Sequence, residues 1–135
     1  MAKLRTSSLK IGRVIHERLK DIIRIFPIIA DKGVEGNFAV YRRTALNVSD
    51  TKDLYNYEEV AYMDIIVVSS TYDNSVELAQ AIKIRLEAVC GDFETAKEEA
   101  ITIGSIEMTN ASEDWQNDAY IQRLTFKINI EKECC

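Results

Sequence analysis

Residues 58–91, EEVAYMDIIVVSSTYDNSVELAQAIKIRLEAVCG, limit the possible folds more than any other stretch. Strand side chains alternate, so Ala61, Met63, Ile65 and Val67 share one face while Val60, Tyr62, Asp64, Ile66 and Val68 share the other. The first face is wholly apolar and the second nearly so, so the strand needs cover on both sides. A helix is expected next, N-capped by Asp73 or Asn74, with Asn74 and Glu77 forming a capping box. Val76, Ala79, Ile82, Leu86 and Val89 follow at helical spacing, and Gly91 is expected to end the helix in a left-handed conformation. A strand laid against its own helix supplies a core and carries no chemistry by itself.

The rest of the chain extends this unit. Thr6, Ser7 and Ser8 offer N-caps to an earlier helix with Ile11, Val14, Ile15, Leu19 and Ile22 on its apolar side. Lys10, Arg13, Glu17, Arg18 and Lys20 form its solvated side. After it, residues 22–37 become extended around Pro27, which cannot donate to a ladder and so predicts an edge strand or bend. Gly33 and Gly36 turn the chain. Residues 38–48, FAVYRRTALNV, read as a strand pairing antiparallel with the central one through a long polar loop, 49–57. Residues 92–99, DFETAKEE, read as an acidic connection. Beyond it the apolar phase slips by one between Ile101/Ile103 and Ile106/Met108, which predicts a bulge near Gly104 and Ser105. Residues 109–120 read as a polar turn region holding Trp115. In the last strand Tyr120, Gln122, Leu124, Phe126, Ile128 and Ile130 face one way and Ile121, Arg123, Thr125, Lys127, Asn129 and Glu131 the other. The expected fold class is α+β. One domain, 1–135, carries a mostly antiparallel sheet of about four to five strands with two helices, in the order α-β-β-β-α-β-β.

Composition narrows the function. A formal charge of −5 lacks the basic footprint of a dedicated nucleic-acid binder. No glycine-rich phosphate loop, HExxH or GxSxG occurs, so no catalytic residue and no cofactor is expected. Asp64, set in an apolar strand, is the one carboxylate that could carry a raised pKa, but no second catalytic group accompanies it, which favours an exposed or interface position. Arg42 and Arg43 form either an anion site or the two faces of one strand, the second reading being preferred. His16 is the sole histidine and reads as structural. Cys90 stands alone and Cys134 and Cys135 are adjacent at the end, with no ligand spacing for a metal, so a reducing compartment is expected. Lys3 and Arg5 precede no apolar run long enough for a signal sequence or membrane span, and a cytosolic origin without membrane partners follows as an expectation.

A resemblance goes further than residue chemistry. The run Ile25-Phe26-Pro27-Ile28-Ile29-Ala30 followed by Phe38-Ala39-Val40-Tyr41-Arg42-Arg43 resembles the opening of small tail-completion and tail-terminator proteins of long-tailed bacteriophages and prophages. So do Ser70-Thr71-Tyr72-Asp73-Asn74-Ser75 leading into a helix with Ala79, and the closing Gln122-Arg123-Leu124-Thr125-Phe126-Lys127-Ile128. The resemblance covers nearly the whole chain and its motifs are patterns of fold. It implies a non-enzymatic structural subunit that terminates the tail tube and supports head–tail joining. The implied partners are copies of itself in a head-to-tail ring such as a hexamer, tail-tube proteins and head-completion proteins. The implied locations are the host bacterial cytoplasm during assembly and then the virion tail.

Two readings of the interface follow. For a ring subunit, the candidate contact residues are Asp50, Lys52, Asp53, Tyr55 and Tyr57 in the long loop, with Val60, Ile66 and Val68 on the second face of the central strand. Tyrosine suits such a place because it joins a large apolar ring to one polar group. The alternative is a stand-alone binding or regulatory module encoded by a mobile element, recognising a partner beside Trp115 or through the 49–57 loop. Cys134 and Cys135 lie beyond the last alternating position, so deleting both is expected to leave fold and assembly unchanged. Elemental analysis checks this: stoichiometric metal that disappears on truncation would show them to be ligands.

Overall fold

The computed structural model describes residues 4–5, 8–29, 36–48, 58–96 and 99–131. Its centre is strand β4 (Glu58–Ser69), the element with two apolar faces. β4 pairs antiparallel along its whole length with β7 (Ala119–Glu131) on one side, and on the other with β3 (Phe38–Val48). Outside β3 lies β2 (Arg24–Pro27), parallel to it, and outside β7 lies the long β6 (Glu99–Gln116). β1 (Leu4–Arg5) and β5 (Gly91–Ala96) both pair with one end of β6, giving a sheet ordered β1-β6-β7-β4-β3-β2 with β5 beside β6. The expected α+β class, the mostly antiparallel sheet and the helix–strands–helix–strands order are all present. The sheet gains the short pieces β1 and β5, one on each side of the first residues of β6.

Both helices, α1 (Ile11–Leu19) and α2 (Tyr72–Glu87), pack on the same side of the sheet. Ile11, Val14, Ile15 and Leu19 of α1 and Ala79, Ile82 and Leu86 of α2 enter one core with Ala61, Met63, Ile65 and Val67 of β4. Leu124, Phe126, Ile128 and Ile130 of β7 complete it, as their alternation requires. The helices also touch each other: Arg85 Nη1 on α2 donates to the Arg18 carbonyl at 3.2 Å and lies 3.3 Å from both Asp21 carboxylate oxygens. Gly12 brings α1 close to β3, since a Cβ there would stand 3.0 Å from the Tyr41 ring. The His16 ring, half-buried, packs on that same tyrosine with centroids 6.1 Å apart, a structural role consistent with its isolation in sequence.

Several local expectations change. The N-cap of α2 is Thr71, in extended conformation, whose Oγ1 accepts from the Asn74 amide at 3.3 Å. Starting there lets Asp73 sit in the first turn against the positive helix end and turns Ser75 inward, where Asn74 as cap would have shortened the helix. The residues on its buried side are Ser75, Ala79, Ile82 and Leu86; Val76 is exposed, and Val89 is buried but lies past the helix end. Gly91 does take a positive φ of 103°, yet as the first residue of β5 rather than as the helix cap. α1 has no side-chain cap: Lys10 occupies that position behind a short 3₁₀ turn, Ser8–Lys10, which satisfies the entry by local winding.

The acidic connection 92–99 is for the most part β5, because charged residues are tolerated on a short edge strand. The region 109–120 is also mainly strand. β6 runs on to Gln116 and reverses through Asn117 and Asp118 alone, both at positive φ (50° and 59°), the geometry of a tight two-residue hairpin that Asn and Asp tolerate. The bulge expected at Gly104 and Ser105 is present as a register shift between Ile103 and Ser105, and it returns Ile106 to the core. A second shift falls between Met108 and Asn110. Beside it the Glu87 carboxylate accepts the Met108 amide at 3.1 Å while bonding Lys83 at 2.7 Å. The Lys83 and Met108 bonds hold the Glu87 carboxyl below the usual range, so it is ionised at neutral pH and covers an amide on the outer edge of β6.

Leu86 is fully buried between α2 and the sheet. Leu86→Ala is expected to cost about 2–5 kcal/mol in equilibrium denaturation, from lost burial plus a residual cavity. A loss below about 0.5 kcal/mol would place Leu86 at the surface.

Candidate interaction surface

With both helices on one side, the second face of the sheet carries no packed element among the described residues. Its side chains follow from the register. One row holds Phe38, Val68 and Ile121, and the next Phe26, Val40, Ile66 and Arg123. Arg42, Asp64 and Thr125 follow, then Tyr62 and Lys127, then Val60 and Asn129. The face is therefore divided. Phe26, Phe38, Val40, Ile66, Val68 and Ile121 make a contiguous apolar end, each half-exposed, while the other end is polar. Phe26 and Phe38 meet edge to face at 6.4 Å, which stiffens the apolar end near the β2 edge.

Asp64 marks the boundary. Only 9 % exposed, it accepts a short hydrogen bond from Thr125 Oγ1 at 2.7 Å. Arg42 Nη2 stands 3.9 Å from its other oxygen, too long for a charge-assisted hydrogen bond and so a loose pair. Asp64 thus lies on the face expected of an interface residue but is largely buried rather than exposed, because β3 and β7 flank it. Arg43 turns to the opposite side and donates to the Leu9 carbonyl at 3.0 Å, so the two arginines do occupy two faces of one strand. Farther along, Asn129 Nδ2 donates to Ser105 Oγ at 2.7 Å.

Val60, Ile66 and Val68 therefore share the uncovered face, as their alternation required. Asp50, Lys52, Asp53, Tyr55 and Tyr57 lie outside the described residues. Phe26, Phe38, Val40 and Ile121 belong to the same apolar end and were not singled out by sequence. The signal for Phe38 and Val40 is their alternation with Ala39 and Tyr41, but only the position of the helices says which pair is covered. Among the described residues no group of histidine, cysteine and carboxylate side chains could hold a metal ion, and no helix is long and apolar enough to cross a membrane. What the surface can do physically is bury apolar area against another protein.

No protein-family model and no curated protein matches the chain. Solved chains of similar fold exist, among them these two. One comes from the virion of a native gene transfer agent particle, with a TM-score of 0.59 at 14% identity, covering 91% of this chain and 92% of that one. A second superposes with a TM-score of 0.54 at 12% identity, covering 95% of this chain and 98% of the other. At such identities the likeness establishes the fold, over almost the full length of each chain.

Thr125→Val keeps the shape of the side chain and removes the donor to Asp64. Hydrogen bonds to charged groups contribute about 1.5–3 kcal/mol, so a loss of that order is expected in urea denaturation. No measurable change would mean that water replaces the hydroxyl freely and that Asp64 is wetter than the geometry indicates.

Proposed function

We propose that this chain is a non-enzymatic structural subunit of a phage-like tail, joining copies of itself head to tail in a ring at the head-proximal end. In this reading the ring terminates the tube and presents the surface for head–tail joining. The observation that carries the reading is the uncovered sheet face with its contiguous apolar end from Phe26 to Ile121. Head-to-tail contacts use two different patches per subunit and close when the rotation permits, which suits a sheet whose described helices lie on one side. Fold likeness to a chain of a gene transfer agent virion supports a place in a particle of that kind. The formal charge of −5 also suits a conduit wall that must let DNA pass without holding it. The loop 49–57 joins β3 to β4, and the reading keeps it, with Tyr55 and Tyr57, near the contact.

The test uses concentrated protein with and without tail-tube protein, followed by light scattering and electron microscopy. Ile66→Lys places a cation in the apolar end and should abolish ring formation while leaving the thermal transition nearly unchanged, because Ile66 is outside the core. Deleting residues 50–56 should act the same way. Rings that form as readily with Ile66→Lys would move the contact off this face. Failure of the parent protein to associate with itself or with tubes under any condition would remove the tail reading altogether.

A further inference from the structure

A second exposed surface lies at the corner where the β6–β7 hairpin meets the start of α2, on the helix side of the sheet. Trp115 and Tyr120 are cross-strand partners, and their rings meet edge to face at 4.7 Å. Tyr72, the first residue of α2, meets Tyr120 the same way at 5.7 Å. The three rings form a continuous cluster that is not covered: Trp115 is 52% exposed and Tyr72 45%. A contiguous set of exposed indole and phenol rings is a feature of interaction sites, since such groups gain most from burial at interfaces.

The cluster is held in place by a polar framework. Gln122, buried on the same face as Tyr120, donates through Nε2 to Glu113 at 2.8 Å and to Ser75 Oγ at 3.3 Å, and Ser75 in turn donates to the Tyr72 carbonyl at 2.6 Å. Glu113 is thereby fixed beside the rings. Its carboxyl lies below the usual range because Gln122 and the Tyr72 hydroxyl both donate to it. On the other side of the same strand, Asp114 accepts from the Trp115 amide at 2.8 Å and from Gln116 Nε2 at 3.0 Å, which stiffens the hairpin just before its turn.

The charge at this corner has one sign. Residues 69–80 and 109–122, which build it, contain Asp73, Glu77, Glu113, Asp114 and Asp118 and no lysine or arginine, while Arg123, next along β7, lies with Asp114 and Ile121 on the other face of the sheet. The α2 N-terminus contributes about half a positive charge in opposition. Asp73 in its first turn offsets that, and Glu113 adds a further full negative charge at the rings.

We propose that this corner is a docking site for a basic segment of a partner protein, with an arginine or lysine head group against Trp115 and Tyr72 and its charge met by Glu113. The electron-rich faces of indole and phenol attract such a cation, and a neighbouring carboxylate adds a Coulombic contact. The surface is separate from the uncovered sheet face, so the inference stands whether or not the chain forms rings.

Trp115 is the only tryptophan, so its emission reports on the site directly. The experiment titrates the full chain at low salt with an acetylated, amidated Gly-Arg-Gly-Arg-Gly peptide, and in parallel with its citrulline counterpart and with a Gly-Glu-Gly-Glu-Gly peptide. A saturable change with the arginine peptide is expected, about tenfold weaker or absent with citrulline, and weakened by added salt. Glu113→Gln and Tyr72→Ala should each weaken the arginine response by about threefold or more. Glu107→Gln removes one carboxylate from the opposite face of the same hairpin, opposite Lys127, and should leave the response unchanged. Circular dichroism and the thermal transition of each variant confirm folding. Equal response to citrulline, a stronger response to the glutamate peptide, no saturable response at all, or an equal effect of Glu107→Gln would each overturn the proposal.

Discussion

The structure depends on the central position of β4. It is hydrogen-bonded along both edges, to β3 and β7, and its Ala61–Val67 side is sealed by two helices that also bind each other. A central strand in this position cannot slip by one residue without turning Asp64 into the core and Met63 and Ile65 into water. Register along β4 therefore sets the register of the neighbouring strands and the height at which α1 and α2 dock. It also leaves Val60, Ile66 and Val68 with no cover from any described element.

Irregularities elsewhere accommodate this constraint. The shift between Ile103 and Ser105 lets β6 keep Ile101 and Ile103 in the core and still return Ile106 to it, at the cost of one unpaired residue. Gln122 sits among apolar neighbours on β7 and is satisfied by Ser75 from α2 and Glu113 from β6, so three elements share one polar network. A buried amide left without partners would be costly, and that cost ties the hairpin to the start of α2. The same network joins the elements that carry the exposed rings at that corner.

Much of the fold, and the side of β4 that Val60, Ile66 and Val68 share, was legible in sequence because periodicity reports on faces. The alternation of β4 and β7, the bulge and the burial of Leu86 all came from counting apolar positions. Two kinds of feature did not. The cap of α2 moved to Thr71 because several residues in SSTYDNS can cap, and the choice rests on which start lets Ser75 reach the interior. The strand character of residues 92–96 and 110–116 was hidden because edge strands and exposed hairpins carry polar residues on both faces, so no period stands out.

What the sequence determined alone was the α+β class, the element order, a central strand with two apolar faces, and an acidic chain without a recognisable catalytic motif. Only the tertiary structure decided that both helices lie on one side and that Phe26, Phe38, Val40 and Ile121 join Ile66 and Val68 on the uncovered side. It also decided that Trp115, Tyr120 and Tyr72 meet. The reason is physical: periodicity shows that a face is apolar, but which element covers it depends on how helices distant in sequence pack together, and no local pattern contains that choice.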